Sequence, residues 1–393
     1  MISVNEAQAR LLALASPLPS IELDLAKATQ HYLSEPLAAI RTQPAADLSA
    51  MDGYAMSSAD FPGPWRVIGE SAAGHPFSGE VGAGEAVRIF TGAHLPQNAD
   101  CVLIQENAAR DGEILTAVDV TAPPPGTHVR RAGGDFMAGA PILPEGICLS
   151  AGPIALAAMA GFGAVPVVQW PRVAIVATGD ELVAAGRHCG QAQIPSSNSP
   201  MLRAMLMDAP CEVHDAGIVA DNLVELEARF KTLASQADII VTTGGASVGD
   251  HDLVQPALLN IGARMDFWKV AIRPGKPLMA GQIGDTIVLG LPGNPSSAFV
   301  TAFLFLLPLV RHMAGCKNPF PEMHLATTGT DLPAGGERTE YVRARVENGT
   351  ITVFGRQDSG MTAPLSLANA LLVQPINVPA RPEGSEVQYM RLS

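Results

Sequence analysis

The strongest constraint on the fold is the alternation of apolar strand patterns and helical patterns between residues 171 and 316. The run VAIVAT (173–178) is continuously apolar, which is typical of a strand buried on both faces of a sheet, and DIIVTT (238–243) and TIVLGL (286–291) are further predicted strands. This alternation predicts an α/β domain with a mostly parallel sheet. We predict two further strands, over 211–219 and 267–272, and four helices, over 199–207, 223–233, 253–259 and 296–313.

The sequence on either side of this region is richer in Gly and Pro and carries short strand patterns. Residues 42–130 predict an inserted all-β domain, and residues 318–393 predict a small C-terminal β-barrel. Helical spacing over 1–40 and short helix and loop over 133–168 predict a helical stalk formed by 1–41 and 131–169. Within it, Ser150 as N-cap and Gly161 as stop predict a short helix to about Ala160, followed by a strand over 164–168. The predicted fold is therefore multidomain, with α/β over 170–317 plus all-β on both sides. The strands predicted outside the α/β domain are 65–68, 86–90, 101–105, 114–118, 341–346, 351–356, 370–375 and 386–392.

Composition and charge exclude several classes of partner. The chain has 25 Lys and Arg against 38 Asp and Glu, and its net charge of −13 works against nucleic-acid and anionic membrane surfaces. Five scattered cysteines without a CxxC pair support neither a disulfide framework nor a zinc site and fit a reducing compartment. The N-terminus has the pattern of an amphipathic helix, and Pro and Gly break the uncharged stretch 146–171, so we expect neither a signal peptide nor a membrane span. These features predict a cytoplasmic protein with no nucleic-acid and no membrane partner.

Polar, glycine-rich sequence follows each predicted strand of the α/β domain, and ligands bind beyond the carboxyl ends of the strands in open parallel sheets. Gly244 and Gly245 would let backbone amides approach a phosphate closely. Asn294 and Pro295 predict a helix N-terminus that suits an anion. Taken alone, a paired-glycine loop or an Asn-Pro-Ser-Ser segment is an ordinary turn or helix cap. Their occurrence at strand ends of one domain favours a phosphate-binding rim.

Charged residues crowd the same rim. Lys269 and Arg273 lie four residues apart in a predicted strand, which would place both on one face, and Lys276 follows one tight turn later. Carboxylates there would suit Mg²⁺, although Asp221 and Asp250 could equally cap the helices that follow them. Because anion-binding and cation-binding groups meet at five strand ends, the sequence predicts a phosphate-plus-Mg²⁺ site. The carboxylates at the rim belong to Asp180, Glu181, Asp221, Asp250 and Asp252.

Nine segments spread over nearly the whole chain resemble, in the same order, the molybdopterin molybdenumtransferase family, which includes MoeA and the C-terminal part of gephyrin. The resemblance implies an elongated, four-domain homodimer that inserts molybdate into adenylated molybdopterin, with Mg²⁺ and release of AMP. It also implies a site between the α/β and C-terminal domains of one subunit and the inserted β domain of the other. The segments are SAMDGYAM (49–56), FTGAHLPQNADCVLIQEN (90–107), RRAGGDFMAG (130–139), VAIVATGDEL (173–182), SNSPML (197–202), TTGGASVGDHD (242–252), FWKVAIRPGKP (267–277), LPGNPSSAF (291–299) and DSGMTAPLSLANALLVQP (358–375).

The residues at matching positions give the candidate site that the resemblance implies. The candidate catalytic residues are Asp52, Thr91, Asp135, Glu181, Asp252, Lys269, Arg273 and Lys276. The candidate cofactor-binding residues are Gly244, Gly245, Ser247, Gly249, Pro292, Gly293, Asn294, Pro295, Ser296, Arg343 and Ser359. The candidate Mg²⁺ ligands are Asp180, Glu181, Asp221 and Asp252. Asp52, Thr91 and Asp135 would close the site from the partner subunit.

Two departures from the family pattern and two other functions stay open at this point. Arg273 stands where many relatives have Lys, which keeps the charge but changes its geometry, and Pro195 with Ser196 replaces a usual Tyr-Asp. One alternative function is adenylyl transfer or nucleotide pyrophosphate hydrolysis on the same α/β fold. The other is a non-catalytic molybdopterin carrier or scaffold. A molybdopterin adenylyltransferase and proteins that deliver the cofactor to molybdoenzymes are further expected partners.

Overall fold

The computed structural model describes residues 1–245 and 252–392, and the predicted α/β region folds around one six-stranded sheet. The first four strands pair in parallel, and the fifth is antiparallel to both of its neighbours. The sixth therefore runs in the same direction as the first four, so five carboxyl ends share one edge of the sheet. In spatial order the strands are Glu212–Val219, Arg172–Thr178, Ile239–Thr243, Thr286–Leu291, Pro277–Ile283 and Arg264–Lys269.

Two predictions for this sheet are wrong. The strand Pro277–Ile283 was missed, because Gly275, Pro277 and Gly281 punctuate its sequence like a loop. Lys269 and Arg273 do not share a strand, since the strand of the sheet ends at Lys269. The cause is the N-terminal residue Ile2, which donates to the Lys269 carbonyl (3.3 Å) and accepts from Ala271 N–H (2.8 Å), drawing the chain out of the sheet.

Helices cover both faces of the sheet, which explains why its strands are continuously apolar. Ile239 and Val241 pack into the cluster on one face, and Ile240 packs with Phe230 in the cluster on the other. The continuous helix Pro295–Met313 is long and apolar enough to cross a bilayer, but 83% of its most apolar window is buried inside the protein, as in a core helix. The helices of this region are Asn198–Leu206, Leu223–Ala234, Val254–Asn260, Pro295–Thr301 and Leu307–Met313, the last two joined by a π-helical turn, Ala302–Leu306.

The predicted helical stalk is largely extended. Only Val4–Ala13 is helical near the N-terminus, and this helix packs on the core of the central sheet through Val4 and Leu11. Ser20–Asp24 is a strand that pairs antiparallel with Ala164–Val168, because Pro17 and Pro19 prevent the first helix from continuing. The helix Ala151–Met159 and the strand that follows it match the sequence prediction. Short strand pairs complete this part: Leu37–Ala38 with Pro141–Leu143, and Leu48–Ser49 with Val129–Arg130.

The inserted segment forms a six-stranded sheet, as an all-β unit was predicted to do. Trp65 is fully buried at its centre and packs with Met56, Leu103 and Leu115. Two of its strands were missed, because one is only four residues long and buried throughout and the other lacks a β-type composition. In spatial order the strands are Cys101–Ile104, Gly53–Met56, Glu85–Ile89, Trp65–Ser71, Ile114–Ala117 and Ala108–Asp111.

The C-terminal region is a closed five-stranded barrel, which confirms that element of the predicted fold. The barrel is closed because the strand Thr339–Glu347 pairs with Thr350–Val353 on one side and with Ala370–Gln374 on the other. The two-residue strand Ile272–Arg273 adds to the edge of Thr339–Glu347 and ties the central sheet to the barrel. The other barrel strands are Met323–Thr328, Thr350–Val353, Ala370–Gln374 and Glu386–Arg391, with a short helix at Ala363–Leu367.

Candidate functional site

A cavity of about 560 Å³ opens at the carboxyl ends of the central strands, where the sequence analysis placed a ligand. Its walls include the turn after the strand Arg172–Thr178, the paired-glycine turn, and the turn before the helix that begins at Pro295. Eight predicted site residues line this cavity together: Glu181, Asp221, Gly244, Gly245, Asp252, Pro292, Gly293 and Asn294. Ser247 and Gly249 lie outside the described residues, as does Asp250.

The floor of this cavity depends on glycine. Gly244 (φ +88°) and Gly245 (φ +62°) both adopt left-handed backbone conformations, and a side chain on Gly244 would overlap the Thr178 carbonyl oxygen. The neighbouring turn lies directly against them, since a Cβ on Gly293 would sit 3.7 Å from the Gly244 Cα. The backbone is thus free to approach a ligand closely on this side.

Asn198 fixes the turn before the helix that begins at Pro295, and it was missed as a site residue. Its Nδ2 donates to the Gly293 carbonyl at 2.8 Å, which also settles the orientation of the amide. Its Oδ1 and the Thr178 hydroxyl are both buried and make no hydrogen bond with any described residue. This asparagine belongs to the SNSPML motif that resembles the family, but no role was predicted for it.

The acidic side of the cavity carries closely spaced carboxylates. Asp180 Oδ1 accepts from the Asp221 backbone N–H at 3.0 Å. Burial raises the pKa of Asp221, a hydrogen bond with the Asp180 backbone lowers it, and the negative charges of Asp180 and Glu181 raise it further. The alternative role of Asp221 as a helix cap is wrong, because Asn222 caps Leu223–Ala234 by accepting from Val224 N–H at 3.0 Å.

The predicted Mg²⁺ ligands share a rim without forming a complete cation site. Glu181, Asp221 and Asp252 line the cavity, and Asp180 reaches it through its contact with Asp221. Within residues 1–245 and 252–392, no three Asp, Glu, His or Cys side chains come close enough to hold a metal ion by themselves. Protein carboxylates alone therefore supply only part of a coordination shell here.

A second cavity, of about 670 Å³, adjoins the first between the central sheet and the barrel. Its cationic lining comes from Arg273, Lys276, Arg338 and Arg343, and it shares Asn294 and Ser297 with the first cavity. Arg273 is exposed and pairs with Glu340 of the barrel at 3.0 Å.

Lys269 lies beside Lys276 along the backbone, because it pairs with Pro277 across two neighbouring strands. Its side chain is exposed, and it belongs to neither of the two cavity linings found in the described residues. Strand pairing therefore places Lys269 next to Lys276, whereas Arg273 lies in a separate two-residue strand and not in the single strand that was predicted.

Arg343 is the least exposed cation of the site, with only 1% of its surface accessible. Its guanidinium donates to Ser296 Oγ (2.6 Å) and to the carbonyls of Met361 and Asp358 (2.9 Å each). Burial lowers the pKa of this guanidinium below its ordinary value. Arg343 thus lies behind the loop 357–361 and holds it.

That loop reaches the start of the helix Pro295–Met313. Asn294 Nδ2 donates to Ser359 Oγ at 3.0 Å, and Ser296 N–H donates to the Ser359 carbonyl at 3.1 Å. Pro295 is the first helical residue, as predicted, although Asn294 turns its side chain to the barrel and not to the helix amides. The helix N-terminus is therefore the common wall of the two cavities.

The remaining predicted residues lie in the inserted segment. Thr91 donates to Asp52 Oδ1 twice, from its backbone N–H and from its hydroxyl, both at 2.8 Å. These two bonds lower the pKa of Asp52, the backbone one most. Asp135 lines a separate cavity of about 480 Å³ with Arg130 and Arg131. None of the three belongs to either rim cavity among the residues that the structure describes.

Three family models match the chain in succession and together span most of it. They are the MoeA N-terminal region (domain I and II) over residues 2–161, a probable molybdopterin binding domain over 174–312, and the MoeA C-terminal region (domain IV) over 326–392.

Individual relatives match over nearly their full length. A protein of Haemophilus influenzae named molybdopterin molybdenumtransferase is 34% identical, covering 95% of this chain and 94% of its own. A protein of the same name from Nostoc is 33% identical over 94% of this chain and 88% of its own. A crystal structure described as the molybdopterin biosynthesis MoeA protein of Pyrococcus horikoshii has a TM-score of 0.84 and 26% identity, and all of both chains is covered.

We predict that Gly244→Ala destabilises the protein more than the matched change Gly262→Ala. Both glycines have nearly the same φ (+88° and +87°), so both variants lose about 1–2 kcal/mol from the left-handed backbone. Only at Gly244 must a rigid carbonyl also move, because nothing lies within 4 Å of a Cβ at Gly262. Urea unfolding of the two variants measures the difference, and equal losses would contradict the close packing of the cavity floor.

Proposed function

The chain belongs to the molybdopterin molybdenumtransferase (MoeA) family, and from that premise we propose that it is a transferase of molybdenum cofactor biosynthesis. The reaction proposed is insertion of molybdate into adenylated molybdopterin with release of AMP. The observation that carries this proposal is the pair of adjoining cavities, one lined by carboxylates and glycine backbone, the other by cations. A substrate with a pyrophosphate group and an oxyanion co-substrate needs both kinds of surface.

The first cavity suits the pyrophosphate group. Backbone N–H groups at Gly244 and Gly245 would bind phosphate oxygens, and the positive end of the helix dipole at Pro295 would attract them. A rim carboxylate that does not coordinate a cation would orient a water molecule toward phosphorus and accept its proton as the phosphorus–oxygen bond to AMP breaks. Asn198, with a buried amide oxygen that has no described partner, would keep the two turns at a fixed spacing around the substrate.

Mg²⁺ fits this cavity as an ion shared between protein and substrate. Mg²⁺ usually keeps several waters and binds through one or two carboxylates plus substrate phosphates, which agrees with a rim whose described residues include no three assembled ligands. The mutual repulsion that raises the pKa of Asp221 would be relieved by a cation. Glu181, Asp221 and Asp252, supported by Asp180, would hold the ion, which when bound neutralises phosphate charge.

The second cavity suits molybdate, a doubly charged oxyanion. Arg273 and Lys276 bring exposed positive charge to it, and Ser297 joins it to the first cavity. Arg273 retains the positive charge at a position where many relatives have Lys, so this departure does not count against the proposal. The proposed geometry places the molybdenum-accepting end of molybdopterin beside these cations while its pyrophosphate occupies the acidic side.

A homodimer is part of the proposal. Asp52, Thr91 and Asp135 lie outside the rim cavities of their own described chain, so we propose that they reach the site of a partner subunit. We also expect the enzyme to act in the cytoplasm. Its expected partners are a molybdopterin adenylyltransferase and proteins that deliver the cofactor. The alternatives, adenylyl transfer or pyrophosphate hydrolysis by the α/β fold and a passive carrier, are less favoured because family similarity extends over the N-terminal and C-terminal regions.

The test of this proposal is one assay with the purified full chain. Adenylated molybdopterin, Mg²⁺ and molybdate are supplied, and both AMP and active cofactor are followed. We expect both products, and we expect Lys276→Met to lower cofactor formation about tenfold or more, since it removes a charge that meets an oxyanion. Lys317→Met, which alters an exposed Lys paired with Glu145 at 3.2 Å, is the matched control and should leave the rate unchanged.

Each other outcome of that assay counts against the proposal. AMP without active cofactor would support the pyrophosphatase alternative, and tight binding with neither product would support the carrier. An equal loss in the Lys276 and Lys317 variants would show that the cationic cavity has no special role.

The raised pKa of Asp221 predicts a pH-dependent need for Mg²⁺. Ordinary Asp titrates near pH 4, so this carboxyl takes up a proton at a higher pH and then competes with the cation. We expect the Mg²⁺ concentration for half-maximal AMP release to rise as pH falls through that raised pKa. The rise should vanish in Asp221→Asn and persist in Asp215→Asn, an exposed position on the strand that precedes Asp221. The same rise in both variants would contradict the assignment of Asp221.

A further inference from the structure

The turn that carries Asp52 is fastened at three successive carbonyl groups. Ser49 Oγ donates to the Met51 carbonyl at 2.5 Å, and Gln105 N–H donates to the Asp52 carbonyl at 3.1 Å. Arg88 Nη1 donates to the Gly53 carbonyl at 3.0 Å. This turn is therefore held in one backbone conformation by residues from three different segments of the chain.

Among these supports, Arg88 is itself held by aromatic rings and by a further hydrogen bond. Its guanidinium carbon lies 5.1 Å from the centre of the Tyr54 ring and 4.8 Å from that of Phe90. Its second nitrogen, Nη2, donates to Gln105 Oε1 at 2.8 Å. Two rings and two hydrogen bonds leave the side chain a single orientation, and one of those bonds holds the same Gln105 that binds the Asp52 backbone.

Arg88 forms no ion pair with any residue that the structure describes. No carboxylate among those residues lies within 4.0 Å of it, whereas Arg66 on the same sheet pairs with Glu85 at 2.6 Å. Its positive charge instead contributes, after the two Thr91 bonds, to lowering the pKa of Asp52. Both Thr91 bonds go to Oδ1, so Oδ2 is the oxygen that can face a substrate.

We propose that Arg88 is a positioning residue for Asp52, holding its turn and aiming its carboxylate. This inference rests on the proposed function, because the orientation of Asp52 matters there only if Asp52 serves the reaction. Arg88 itself touches neither substrate nor reacting atoms in this account. A guanidinium is required because a Lys ammonium cannot donate in one plane to both acceptors while stacked between two rings.

A double-mutant cycle in the AMP and cofactor assay tests the inference. Arg88→Met, Arg88→Lys, Asp52→Ala and the double variant Asp52→Ala/Arg88→Met are compared with Arg66→Met, the control on the same sheet. We expect Arg88→Met to lower kcat about tenfold to a hundredfold with KM little changed, because misplacing a reacting group by about 1 Å costs this much. In the Asp52→Ala background, loss of Arg88 should cost nothing further. Arg88→Lys should recover only part of the rate.

The outcomes separate this inference from the proposed function. Losses that multiply in the double variant, or a wild-type rate in Arg88→Met while Asp52→Ala is impaired, would overturn the inference alone. Wild-type rates in both single variants would overturn the role of Asp52 and the inference with it. Arg66→Met should keep the wild-type rate, and thermal melting of each variant excludes unfolding as the cause of a loss. A matching rate loss in the Arg66 variant would show a general effect of the sheet and would contradict the inference.

Discussion

The site depends on the contact between the first turn of the helix Pro295–Met313 and the barrel loop 357–361. Arg343 maintains it from behind, with four hydrogen bonds from a guanidinium that has 1% of its surface exposed. A buried charge is tolerated only when its donors are satisfied, so the loop carbonyls and Ser296 must stay where they are. The barrel and the central sheet consequently share one wall, and the acidic and cationic cavities become neighbours through Asn294 and Ser297.

This arrangement explains how a chain with a net charge of −13 can present a binding surface for anions. The fold brings the cations together at one boundary, where the chain passes from the edge of the central sheet to the barrel at Ile272–Arg273. The carboxylates are gathered at the carboxyl ends of the parallel strands next to it. Glycine backbone and a helix N-terminus supply further anion-binding groups without adding formal charge.

The central elements could be predicted because their patterns are local. Thr286–Leu291 was predicted to the residue, and Pro295 as first helical residue follows from its fixed φ. What could not be predicted depends on contacts distant in sequence. After Lys269 the chain pairs with Ile2 and does not continue the strand, and no sequence pattern near Lys269 indicates this contact. Arg343 could be named from its motif but not as a buried support, because its partners lie in two other segments.

The most direct test of this account measures Arg343→Lys against Arg345→Lys, an exposed position on the same strand, in the AMP and cofactor assay. Lys keeps the charge but cannot hold Ser296 and the loop carbonyls together, so the cationic cavity should lose its shape more than the acidic one, whose other walls come from the central sheet. The account predicts that cofactor formation falls about tenfold more than AMP release in the Arg343 variant, and that neither changes in the Arg345 variant. Equal loss of both products, or loss of neither, in the Arg343 variant would contradict it.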